Sequence, residues 1–252
     1  MRQRDLSDRE RARYARHLVL PQLGEDGQRR LKVSRVLLVG AGGLGSSIAL
    51  YLAAAGVGQI GIVDDDTVGL SNLQRQVLHG EAMLRHPKVE SAEARIADLN
   101  SDVHVETFAD CFDRASGRQI AAEYDLIVDG TDNFETRYVI NDVCLDLKIP
   151  YIYGAIFRLE GQVSVLCTEA GPCYGCLFPE PPPPETVLSG EHAGILGTVP
   201  GTIGTLQATE AIKWIARIGD SLVGRLLVYD AAAMRFDEIA IEKNPACTAC
   251  AA

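Results

Sequence analysis

No stretch of this 252-residue chain approaches the ~20 consecutive apolar residues needed to cross a bilayer. The first residues, Met1-Arg2-Gln3-Arg4-Asp5, provide no apolar segment of the kind a signal peptide requires. A membrane protein is therefore not expected, and a cytoplasmic location is. A basic excess is also missing: Lys and Arg number 24 against 34 Asp and Glu, for a formal net charge of −10. Nucleic-acid binders carry a basic footprint, so that class is not expected. There is no internal repeat and no Gly/Ser-rich linker, which argues against an array of small modules. What is present is an ordinary globular composition, 47% hydrophobic and 23% charged, with seven cysteines. In a reducing compartment those cysteines are read as thiols or metal ligands.

The pattern along the chain predicts an α/β fold. Ser7-Asp8-Arg9-Glu10 has capping-box spacing, opening a basic helix with Arg9, Arg11, Arg13 and Arg16 that Pro21 and Gly24 end. A second short helix is expected over Gly27–Lys32. Arg35–Val39 is a continuous apolar run that suits a buried parallel strand. Gly40-Ala41-Gly42-Gly43-Leu44-Gly45 follows at once, then a small apolar helix over Ile48–Ala55 and a second strand over Gln59–Val63. That order is a β-turn-α-β unit. Ser71–Arg85 is predicted mostly helical, as is the segment from Pro87 to about Asn100. Val103–Phe108 and Tyr124–Asp129 read as strands. Asp132 and Glu135 have cap spacing for a helix over Phe134–Leu147. Tyr151–Phe157 and Gly161–Thr168 alternate as an antiparallel pair should. Gly171–Ala193 is expected to be loop, with Pro181–Pro184 extended. A helix over Thr202–Ile218 and strands over Leu226–Tyr229 and Phe236–Ile241 complete the chain. The expected whole is one Rossmann-like domain over 1–252 with a mixed sheet. It comprises a helical arm (1–32), a parallel nucleotide-binding half (33–150) and an antiparallel half (151–252).

Gly40, Gly42 and Gly45 fit G-x-G-x-x-G directly after a strand. Such glycines allow backbone to approach phosphate, and the following helix N-terminus presents N–H donors and a positive dipole end. Asp64 ends the next strand, where a carboxylate can accept from a ribose hydroxyl. Arg75 and Lys88 are candidates for neutralising a triphosphate. Asp132, at the end of a later strand, is a candidate ligand for Mg²⁺, although capping the next helix is a competing role.

Several strings together resemble the MoeB/ThiF family. They are Arg13-Tyr14-Ala15-Arg16-His17, the glycine loop, Asp64-Asp65-Asp66-Thr67-Val68, Ser71-Asn72-Leu73-Gln74-Arg75-Gln76, Pro87-Lys88-Val89, Thr131-Asp132-Asn133 and Gly201-Thr202-Ile203-Gly204-Thr205-Leu206-Gln207-Ala208. The resemblance covers nearly the whole chain in order. It implies a homodimer that uses ATP and Mg²⁺ to adenylate the C-terminal Gly-Gly of a ubiquitin-like sulfur carrier similar to MoaD or ThiS. It further implies Asp64 as the ribose acid, with Asp66 beside it and Gly43 in the phosphate loop. Asn72, Arg75, Gln76 and Lys88 match the ATP contacts. Asp132, followed by Asn133, matches the magnesium acid, and Arg16 matches an arginine reaching in from the other subunit.

Cys173-x-x-Cys176 and Cys247-x-x-Cys250 can offer four thiolates to one tetrahedral zinc with no open position. That closure makes the expected zinc structural. Cys111, Cys144 and Cys167 read as small buried hydrophobes. Many relatives place a cysteine shortly before the equivalent of Ala193-Gly194. Here the stretch is Ser189-Gly190-Glu191-His192 and the expected position is Gly190, so no covalent cysteine step is expected. His192 reads as an incidental loop residue. No rhodanese-like segment follows the second cysteine pair, so a separate sulfur donor protein is expected. The alternatives are an NAD-dependent oxidoreductase on the same glycine loop, a non-catalytic scaffold, or a family member that activates a short peptide.

Overall fold

A computed structural model describes residues 5–183 and 194–251. Gly190, His192 and the end of the proline-rich loop lie outside them. Among the described residues eight strands form one sheet in the order β3-β2-β1-β4-β5-β6-β7-β8. They are β1 Arg35–Val39, β2 Gln59–Val63, β3 His104–Phe108, β4 Leu126–Asp129, β5 Tyr151–Phe157, β6 Glu160–Leu166, β7 Arg225–Asp230 and β8 Arg235–Ala240. The pairs β3-β2, β2-β1, β1-β4 and β4-β5 are parallel. From β5 onward the pairing is antiparallel. The sheet is thus mixed in the expected sense, and β1, β2 and β4 are buried along nearly their whole length because helices cover both faces.

On one face lie α4 (Gly43–Ala55), α5 (Lys88–Leu99) and α9 (Thr198–Ala216); on the other lie α6 (Arg114–Ala121) and α7 (Phe134–Leu147). The small residues of α4 let α9 approach closely. A β-carbon added at Gly204 would lie 2.5 Å from the Leu44 carbonyl oxygen, so only glycine fits this crossing. The helix starts at Gly43, earlier than Ile48, because the glycine loop itself forms the first turn.

The N-terminal arm forms as the capping box dictates. Ser7 Oγ accepts from Glu10 N at 3.2 Å and Glu10 Oε2 accepts from Ser7 N at 2.7 Å. The expected single basic helix is instead two, α1 (Asp8–Arg13) and α2 (Ala15–Leu18), followed by α3 (Gly24–Val33). The break falls at Tyr14, which turns inward: it is buried, and its hydroxyl accepts from Asn100 Nδ2 at 2.9 Å.

Five further differences from expectation appear. Ser71–Arg85 is not a helix; it holds two single 3₁₀ turns, Leu70–Asn72 and Glu81–Met83, between other turns. Asn133, not Asp132, caps α7, accepting from Thr136 N at 2.8 Å. The expected loop from Gly171 contains a short helix, α8 (Tyr174–Leu177). The last long helix begins at Thr198, four residues early, and α6 had no counterpart in the sequence reading. Among the described residues no helix is long and apolar enough to cross a membrane.

Candidate active site

A cavity of about 740 Å³ opens at the carboxyl ends of β1, β2 and β4, where an open α/β sheet binds ligands. It continues toward the β5–β6 hairpin, so it has two ends. The glycine loop, Asp64, Asp66, Arg75, Gln76, Lys88 and Asp132 line one; Ala155, Arg158, Gln162, Phe178 and Ile195 line the other.

The glycines divide the work. A β-carbon at Gly45 would sit 2.0 Å from the Gly40 carbonyl oxygen, and one at Gly40 would sit 2.7 Å from that of Gly130. Gly45 therefore packs helix onto loop and does not line the cavity. Gly42 and Gly43 line the cavity; a β-carbon on Gly42 would come no nearer than 3.7 Å to Gln76 Nε2, and one on Gly43 would lie 3.1 Å from Pro200 Cβ. Gln76 is buried and its Oε1 has no partner among the described residues, which leaves an acceptor ready for a ligand's hydrogen.

The loop is fixed from below by two groups. Asp64 Oδ2 accepts from Ala41 N at 2.7 Å, and its Oδ1 accepts from Asp66 N at 2.9 Å. Burial raises the Asp64 carboxyl above its ordinary range, opposed by Lys88. Lys88 Nζ is 2.7 Å from Asp66 Oδ2 and 3.9 Å from Asp64 Oδ1. Burial works to raise Asp66 as well, but the Lys88 ammonium holds it below the usual carboxylate range. His79, which the sequence reading missed, is the second support. Its Nε2–H donates to the Ala41 carbonyl at 2.9 Å while Nδ1 accepts from the Ser91 hydroxyl at 2.9 Å. Burial pushes its pKa down, so the neutral ring is the folded form.

Asp132 lines the cavity and is exposed, and it makes no hydrogen bond or ion pair among the described residues. An unspent carboxylate there suits a cation ligand. The loop that carries it is locked by a buried pair. Asp129 Oδ1 accepts from Thr131 N at 2.8 Å and from Thr131 Oγ1 at 2.6 Å. Tyr151 Oη donates to Asp129 Oδ2 at 2.7 Å. Arg137, also missed, lies 3.5 Å from Asp129 Oδ2 and donates from Nη2 to the Thr131 carbonyl at 3.1 Å. It sits over the Phe134 and Tyr153 rings, and the cavity reaches it. A signal existed in the sequence: Arg137 occupies the buried stripe of α7 with Ile140, Asn141 and Cys144, where a lone cation requires a partner.

Arg75 and Asn133 line the cavity as expected. Asn72 does not: its Oδ1 accepts from Gly69 N at 2.8 Å and closes the turn before Arg75. Arg16 is exposed on α2, outside the cavity of its own chain.

The four paired cysteines converge between α8 and the C-terminal segment. Their Sγ atoms lie within 4.8 Å of one another. Cys173–Cys176, Cys173–Cys247 and Cys176–Cys250 are 3.7, 3.6 and 3.4 Å apart. A disulfide needs ~2.05 Å. The edge of a zinc tetrathiolate, built from ~2.3 Å bonds, is ~3.8 Å. The cluster therefore fits a tetrahedral ion and not a bridge. Cys144 and Cys167 are buried, and burial pushes both thiols well up. Cys111 departs from the expected buried hydrophobe: it is exposed, and its thiol donates to Asp65 Oδ2 at 2.7 Å. That bond and the neighbouring acids raise its pKa.

Residues 14–249 match the ThiF family. The chain is 49% identical to a SAMP-activating enzyme E1 of Haloferax volcanii, over 94% of this chain and 88% of that one. It is 45% identical to a sulfur carrier protein adenylyltransferase of Thermus thermophilus, over 94% and 90%. It is 50% identical to a probable adenylyltransferase/sulfurtransferase MoeZ of Mycobacterium tuberculosis, of which it spans only 62%. It spans about half of the plant MOCS3 relatives. Among solved structures, E. coli MccB with MccA-N7isoASN superposes with a TM-score of 0.83 at 21% identity, over 99% of this chain and 76% of that one; this likeness is one of fold.

Removing Arg137 leaves Asp129 as an unpaired buried charge. Arg137→Ala is expected to cost about 3–5 kcal/mol in urea unfolding. His79 contributes stability above its unfolded pKa of about 6.5 and loses it as pH falls through its lower folded value. The melting temperature of the native chain should therefore fall more steeply below about pH 6.5 than that of His79→Gln; parallel pH profiles would contradict the assignment.

Proposed function

The chain belongs to the ThiF family, and from that premise we propose that it adenylates the C-terminal Gly-Gly carboxylate of a ubiquitin-like sulfur carrier with ATP. The observation that carries this reading is the two-ended cavity, with a phosphate cradle at one end and room for an extended tail at the other. High identity to a protein named as a sulfur carrier adenylyltransferase, over nearly its whole length, supports the same substrate class.

The chemistry asks little proton transfer of the protein. A carboxylate is already ionised at neutral pH and attacks the α-phosphorus directly. The bond to the bridging oxygen breaks, pyrophosphate leaves, and an acyl-adenylate remains. The residues supply alignment and charge. Gly42 and Gly43 offer open backbone to the phosphates, Gln76 an unused acceptor, and Arg75 and Lys88 their positive charge. Mg²⁺, when bound, would neutralise phosphate charge, and the free Asp132 carboxylate is the group that would hold it. An NAD-dependent oxidoreductase has no use for that combination of cations and unspent acid.

The remaining parts of the proposal rest on separate observations. A structural zinc fits the thiolate tetrahedron and would tie the C-terminal segment to α8. Sulfur from a separate donor protein fits the raised pKa values of Cys111, Cys144 and Cys167, which make each a poor thiolate. A homodimer is supported by an apolar groove lined by Leu50, Tyr51, Val77 and Leu196, and by Arg16, which would need a second copy's cavity to act on. Reduced cysteines suit a cytoplasmic location.

Asp132→Ala should lower carrier-dependent ATP–pyrophosphate exchange by about 10²-fold or more while the melting temperature holds; wild-type exchange in that variant would sink the assignment. Purified protein should carry one zinc per chain, and chelation should lower its melting temperature sharply. A metal-free protein of unchanged stability would refute the zinc.

A further inference from the structure

The β5–β6 hairpin closes through only two residues, Arg158 and Leu159, between the paired Phe157 and Glu160. Arg158 adopts φ 55, in the left-handed region. In two-residue hairpins the first central position with positive φ usually belongs to glycine, because a β-carbon is strained there. The backbone is held in this state from both sides. The Arg158 carbonyl accepts from Leu196 N at 3.3 Å, and the Leu159 carbonyl accepts from Ala231 N at 2.8 Å. An arginine is thus placed where backbone energy favours glycine, which points to a use for its side chain.

Nothing within the described protein uses that side chain's donors. The guanidinium lies over the Phe157 ring, 5.1 Å from its centre. It makes no hydrogen bond and no ion pair among the described residues, although Glu160 and Asp230 stand opposite each other nearby. Arg158 lines the cavity with Gln162, Phe178 and Ile195. It lies at the end away from the phosphate cradle: β5 is two strands from β1, roughly 10 Å across the sheet. A guanidinium donates and cannot accept, so its complement is a row of acceptor oxygens. A tail ending in Gly-Gly offers main-chain N–H groups, which a guanidinium cannot use, and main-chain carbonyl oxygens, which it can.

Resting on the adenylation reading above, we infer that Arg158 is a specificity-determining residue that grips the main-chain carbonyls of the acceptor's extended C-terminal tail as it enters the cavity. It acts on the acceptor and not on ATP. Its strained backbone makes the test unusually clean, since replacement by glycine removes the guanidinium while relieving the strain.

The experiment measures ATP–pyrophosphate exchange driven by a purified Gly-Gly-terminated ubiquitin-like sulfur carrier, for the native chain, Arg158→Gly and Arg158→Ala. Expected is a rise of about ten-fold in KM for the carrier in both variants, with KM for ATP within two-fold. Arg158→Gly should melt at or above the native temperature. The carrier truncated before its whole extended tail, used as a competitive inhibitor, should bind all three proteins alike. An unchanged carrier KM would overturn the inference. So would a several-degree drop in the melting temperature of Arg158→Gly, or an equal loss of affinity for the truncated carrier, which would place the contact on the carrier's body. If the native chain shows no exchange with any such carrier, the functional reading has failed, and that result is distinct from a native-like Arg158→Gly.

Discussion

Asp129 is the constraint on which the site depends. Its carboxylate is fully buried at the end of β4, and burial pushes its pKa up. Three donors hold it, Thr131 through nitrogen and hydroxyl and Tyr151 through its hydroxyl, and the Arg137 guanidinium stands 3.5 Å away as its ion-pair partner. Its backbone carbonyl accepts from Gln207 Nε2 at 2.7 Å. One residue thereby joins β4, β5, α7 and α9 and fixes the short loop that presents Asp132. A buried charge is expensive unless every partner is in place. That cost makes the loop geometry nearly all-or-none, and it gives Asp132 a fixed position while leaving its own carboxylate unspent.

The cavity's charges explain why a cation is part of the proposal. Asp64, Asp65, Asp66, Asp110, Asp132 and Glu160 line it against Arg75, Lys88, Arg137 and Arg158. Two of those cations are already committed, Lys88 to Asp66 and Arg137 to Asp129. A triphosphate and a carboxylate would meet here at close range, where each like-charge pair at ~4 Å costs about 4 kcal/mol at the dielectric of a protein surface. A cation held by Asp132 would offset that repulsion at the phosphate end.

The readable parts of the sequence were the ones written in local spacing. The strand–glycine loop–helix–strand unit, the capping box at Ser7 and the two cysteine pairs each specify their geometry within a few residues, and each appears as expected. Ser71–Arg85 misled because its polar side chains satisfy the backbone through turns: Asn72 binds Gly69 N, and Arg75 binds the Ser71 carbonyl. Hydrophobic content alone did not reveal that competition. His79, Asp129 and Arg137 were missed for another reason. They reach the site through contacts between distant elements, and each is a structural support of a residue that the sequence did identify. Gly45 and Asn72, expected as ligand contacts, lie outside the cavity lining of their own chain and brace the glycine loop and the turn before Arg75.

The proposed reaction joins a carrier's terminal carboxylate to AMP. Intact-mass spectrometry of a Gly-Gly-terminated ubiquitin-like carrier, incubated with this protein, ATP and Mg²⁺ in the absence of any sulfur donor, tests it most directly. The expected product is a carrier species heavier by one adenylyl group, absent when Asp132→Ala replaces the native chain. An unmodified carrier, with ATP unconsumed by a folded protein, would contradict it.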